Sequence, residues 1–150
     1  MKKYAFTMIE LIFVIIILGI LASVAIPKLS ATRDDAKVSK TAQMIAISAT
    51  EIQSYAVSKA AVTNDLSLMS NAINSLVLDN EAVLDIPNSS VAFKMSKIND
   101  CISLKLVSDA QDVNLSLSFG ASTDPLCNSL QGLFDTTVNL IPLKGSYVIR

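Results

Sequence analysis

Between Tyr4 and Ile26 only Thr7, Glu10, Gly19 and Ser23 fall outside the apolar set. As a helix rising 1.5 Å per residue this run reaches about 34 Å, enough to cross a bilayer core of about 30 Å. The segment is therefore read as a membrane span, at least in the newly made chain. Over all 150 residues the chain is 51% hydrophobic with a mean hydropathy of +0.51, high for a soluble domain. Beyond Ile26 the apolar share falls to about 46%, an ordinary value. The excess is thus local: a greasy handle carries an ordinary head.

Composition also excludes chemistry. The sequence contains no histidine, which removes the commonest general base, the Ser–His triads and most metal-site designs. No P-loop, dinucleotide fingerprint or nucleophile elbow occurs, so no enzyme activity and no cofactor are expected. With 17% charged residues and few glycines and prolines, the chain is not of a disordered type. Charge is segregated: Lys2 and Lys3 precede the span, Lys28, Arg33, Lys37 and Lys40 follow it, and residues 60–150 are acidic by four charges. The leading lysines favour a cytoplasmic N-terminus and the following basic group argues the other way, so charge alone leaves topology open. An acidic head argues against broad nucleic-acid binding, leaving only a local patch such as Lys94 and Lys97.

Three readings of residues 1–27 follow: a plain membrane anchor, a secretory signal cut after Ala25 in Ser23-Val24-Ala25, and a span whose carboxylate has a task. A carboxylate at mid-membrane costs roughly 2.5–3.5 kcal/mol and marks a functional candidate, whereas a Glu10 at headgroup level needs no task. The segment Lys3-Tyr4-Ala5-Phe6-Thr7-Met8-Ile9-Glu10-Leu11 closely resembles the cleavage and methylation site of type IV prepilins and pseudopilins. The resemblance covers about 25 residues. It implies cleavage between Ala5 and Phe6 by prepilin peptidase, methylation of the new Phe6 amine, and a head on the periplasmic side of the bacterial inner membrane. Ala5 departs from the glycine usual before the cut. Gly19 and Pro27 stand where the family's pilins usually have glycine and proline. The resemblance further implies that the Phe6 amine and a neighbouring subunit's Glu10 neutralise each other in a low-dielectric filament core only at the right axial stagger.

Helical periodicity continues beyond the span. Val38, Ala42, Ile45, Ala49, Ile52 and Ala56 form one apolar stripe, with Lys37, Lys40, Gln43, Glu51, Gln53 and Lys59 off it. One helix from about Phe6 to about Lys59 is predicted, kinked near Pro27 by the lost donor and softened by Gly19. Thr63 or Asn64 would cap a short second helix bearing Leu66, Met69, Ile73, Leu76 and Val77. A loop over 85–90 follows, and strands begin at Val91–Met95. Alternation in Ile102–Leu106 and Val113–Phe119 predicts an antiparallel hairpin. An irregular stretch holds Pro125 and Gly132, and Val138–Leu143 with Ser146–Ile149 suggests a last hairpin, with Pro142 at an edge. The expected fold is α+β and pilin-like. Its divisions are a leader 1–5, a transmembrane half 6–27, an amphipathic half 28–59, and a head 60–150 with a small antiparallel sheet packed on the helix.

Cys101 and Cys127 are the only cysteines. The compartment implied by the resemblance is oxidising and favours their pairing, as in many pilins; a reactive thiol and a metal site are the alternatives. Asn114, in Asp112-Val113-Asn114-Leu115-Ser116, fits an extended glycosylation pattern, and Asn88-Ser89-Ser90 the shorter one. Asp109, Asp112 and Asp124 could meet calcium, without EF-hand spacing. The resemblance implies a structural subunit of a type IV pilus-like, type II secretion or competence filament. Its partners would be like subunits, the peptidase, and an assembly platform with its cytoplasmic ATPase. The cysteine pair and Pro27 lean towards a pilin, since major secretion pseudopilins usually rely on calcium. A periplasmic binding module, released by signal peptidase or merely anchored, is the alternative.

Overall fold

The computed structural model describes residues 6–108, 112–134 and 140–143. Its elements are α1 (Met8–Lys59), a 3-10 turn (Leu66–Leu68), α2 (Asn71–Leu78), β1 (Ala82–Asp85), β2 (Ser90–Met95), β3 (Ile98–Ser108), β4 (Val113–Phe119), α3 (Pro125–Gln131) and β5 (Leu140–Pro142). The chain divides into two units, residues 1–37 and 38–150, and α1 contributes to both.

In the first unit α1 is alone. Every large apolar side chain from Phe6 to Leu29 is exposed among the described residues. This stretch of helix is long and apolar enough to cross a membrane, by length and composition. The helix runs unbroken through Gly19 and Pro27, although the Pro27 ring leaves the Ser23 carbonyl without its usual N–H donor.

In the second unit α1 forms one wall of the core. It buries Val38, Ile45, Ile52 and Ala56 as expected, but Thr41 and Ser48 lie at the centre of the face and Ala42 and Ala49 at its margin. A serine is tolerated there because its hydroxyl donates to the Met44 carbonyl at 2.7 Å, so no polar atom is left unpaired. Opposite stand Val91 and Phe93 of β2, Ile102 and Leu104 of β3, and Leu115 and Leu117 of β4. Burying each such side chain stabilises the head by roughly 1.5–3 kcal/mol before entropy is counted.

The five strands form an antiparallel meander in sequence order. The expected β3–β4 hairpin is present, with Leu104 opposite Leu117 and Ile102 opposite Phe119. Among the described residues Pro142 lies in the edge strand β5, where its missing N–H costs no ladder bond. Residues 138–139 and the proposed partner strand Ser146–Ile149 lie outside the described residues.

Three readings are corrected. Neither Thr63 nor Asn64 caps the second helix: Asp65 caps the 3-10 turn, and Ser70 caps α2 through its bond from the Ile73 amide. The sheet begins before Val91–Met95, with β1 at Ala82–Asp85 ahead of the loop; four residues are too few to show a period. The stretch read as irregular contains α3, with Asp124 as N-cap, Pro125 in the first turn and Gly132 at the C-cap. That order of cap, proline and glycine is a helix signature.

Candidate functional site

At the start of α1, Thr7 and Glu10 close a reciprocal capping box. The Thr7 amide donates to Glu10 Oε2 at 2.9 Å, and the Thr7 hydroxyl to the same oxygen at 2.7 Å. In return the Glu10 amide donates to Thr7 Oγ1 at 3.4 Å. The spacing Thr-x-x-Glu does this because residues N-cap and N3 face each other across the first turn, whose amides lack helical partners. Glu10 therefore has a local role that the sequence reading did not weigh. Its Oε1 accepts no hydrogen bond from the described residues. Thr7 thus fixes one oxygen of the carboxylate. Phe6 stands directly before this box and is exposed; Ala5 lies outside the described residues.

Farther along the span, Gly19 has open space where a Cβ would stand. Ser23 folds its hydroxyl back onto the Ile20 carbonyl at 2.7 Å. Between Gly19 and Pro27 the helix thus holds its least favourable residue types together.

In the head the two cysteines are joined as a disulfide, with Cα atoms 5.6 Å apart and both residues fully buried. The bond ties α3 to β3. Around it the chain is doubly secured, since Gln131 Nε2 donates to the carbonyls of Cys101 and Gly120, each at 2.8 Å. The Gly120 amide also donates to the Cys101 carbonyl at 3.0 Å. A Cβ at Gly120 would overlap the Asp100 carbonyl oxygen, so this crossing accepts only glycine.

Two contacts were invisible in the sequence reading. Glu51, noted only as lying off the apolar stripe, accepts at Oε2 from the Ser70 hydroxyl (2.7 Å) and the Ala72 amide (3.0 Å). It is a second cap for α2, reached from another helix. A groove of about 340 Å³ lies beside it, lined by Thr50, Ser54, Tyr55 and Leu68 among others. Lys40 pairs with Glu81 at 2.9 Å, and that carboxylate holds the ammonium above the ordinary lysine range.

The weaker candidates separate rather than converge. Asn114 is half-buried in β4, paired across to Val107 and Pro142, whereas Asn88 is exposed in a turn and bonded to Asp85 at 2.6 Å. Lys94 donates to Asn80 Oδ1 at 2.7 Å, a neutral partner that leaves its charge in place. Asp124 caps α3, and Asp109 lies outside the described residues. Among the described residues no group of three His, Cys, Asp or Glu is placed to hold a metal ion.

Residues 1–26 match the family model of the prokaryotic N-terminal methylation motif, the prepilin-type cleavage and methylation signature of type IV pilins and pseudopilins. No curated protein and no solved structure matches the chain. The signature ends at Ile26, so the head's role is argued from its own residues.

Proposed function

We propose that the protein is a structural subunit of a type IV pilus-like or type II secretion or competence filament. The observation that carries this reading is the methylation signature over residues 1–26 on a helix whose apolar side chains are all exposed from Phe6 to Leu29. Such a surface needs a partner: lipid while the subunit is stored, neighbouring helices once it is assembled. Prepilin peptidase cleaves between Ala5 and Phe6 and methylates Phe6. The head stands in the periplasm, and the subunit passes to an assembly platform driven by a cytoplasmic ATPase. Glu10, oriented by Thr7, receives the Phe6 amine of a neighbour on its other oxygen. Gly19 and Pro27 let the span bend as it leaves the bilayer.

The experiment is the N-terminal mass of the mature protein. Methyl-Phe6 is expected. Ile26 at the N-terminus would make the protein a secreted module, and Met1 or Lys2 a plain anchor. Cleavage after Ala25 would fall inside an unbroken helix, which favours the filament reading over release.

A further inference from the structure

The basic residues that follow the span oppose the proposed topology, because positive charge disfavours the translocated side. Nor do the first three form an ion pair among the described residues. Among the described residues the one ion pair is Lys40 with Glu81; Lys28, Arg33 and Lys37 form none, and all three are exposed. A feature that works against insertion and forms no such pair calls for an external partner.

Position along the helix narrows that partner. From Glu10 to Lys28 there is no charged residue, and these 18 steps rise about 27 Å, close to the thickness of a hydrocarbon core. The two charges therefore stand at its two faces, with Glu10 at a boundary rather than at mid-membrane. The headgroup layer adds roughly 5–8 Å on each side, and Arg33 lies about 7.5 Å beyond Lys28. Lys28 and Arg33 thus mark the floor and ceiling of that layer, while Lys37 stands about 13.5 Å out. Helical side chains lean towards the helix N-terminus, which here is towards the bilayer. Asp34 and Asp35 lie about 9–10.5 Å out on short side chains, farther from the phosphates than the long cations can reach.

We propose that Lys28 and Arg33 form a docking surface for anionic phospholipid headgroups, setting the depth at which the stored subunit sits. The proposal rests on the membrane reading above but not on processing or filament formation. Each cation close to an anionic surface is worth about five-fold in association, and the effect weakens with salt.

The test uses the full-length protein in neutral detergent micelles, titrated with dioleoyl-phosphatidylglycerol or dioleoyl-phosphatidylcholine, with bound lipid counted by native mass spectrometry. The anionic lipid is expected to bind at least about five-fold more tightly. Lys28→Gln and Arg33→Gln should each remove about five-fold, Lys28→Arg should retain the preference, and Lys37→Gln should change it less than either. Equal binding of both lipids, or an unchanged ratio in the double variant, would overturn the proposal. Equal binding together with a dimer that the same variants abolish would assign these cations to a carboxylate of a second copy. The Phe6 mass result is independent of all these outcomes, so failure here leaves the filament reading standing.

Discussion

Single residues make the sharpest commitments in this molecule. Glu51 supplies a charged acceptor to the α2 N-terminus, so Glu51→Ala is expected to cost about 1–2 kcal/mol, read as a lower urea midpoint in the full-length protein. Ala60 ends α1 with φ 51°, a left-handed conformation that penalises a Cβ. Ala60→Gly is expected to raise stability by up to about 1 kcal/mol in the same measurement. The Lys40–Glu81 pair is exposed and worth at most about 1 kcal/mol. Because the folded lysine titrates above its ordinary value of 10.5, that contribution is complete below it. It fades as pH rises through the elevated value, and Glu81→Gln should abolish this pH dependence. None of these partners could be read in advance: Glu51 and Ser70, or Lys40 and Glu81, meet only after the chain has turned back. Thr7 and Glu10 were legible, since a Thr-x-x-Glu spacing before an apolar run is local.

Among elements, legibility followed length and period. The 52 residues of α1 announce themselves through about fourteen turns of helix, and the β3–β4 hairpin through the alternation along Val113–Phe119. Their details did not follow, because Ser48 counts as polar by letter but is apolar in effect once its hydroxyl is bonded within the helix. Short pieces such as β1 and α3 carry too few residues for a period, and their signals lie in caps and turns instead. At this scale the softened stretch of α1 can be tested directly. Gly19 is sterically free, so Gly19→Ala should stabilise the helix locally by about 1 kcal/mol without a clash. Slower amide exchange across 19–27 in micelles is the expected reading. If bending during assembly matters, the same variant will be processed and inserted normally yet form fewer filaments.

For the molecule as a whole, the disulfide is the main covalent constraint. It closes a ring with a sequence separation of 26, worth about 3.5 kcal/mol on the chain-entropy account. A Cys101→Ser, Cys127→Ser double variant should lose about that much stability. The wild-type protein, denatured without reductant, should leave both thiols unlabelled. The pairing agreed with the sequence expectation, though the compartment behind that expectation came from the resemblance and not from spacing. The core also has an order in time. Ile45 and Ile52 of α1 pack in one cluster with Leu143, almost a hundred residues later in the chain. At roughly 5–20 residues per second of synthesis, the helix is made about 5–20 s before its last core partner exists. During that interval the half of α1 destined for the core waits uncovered. The core around α1 is therefore incomplete until Leu143 has been made.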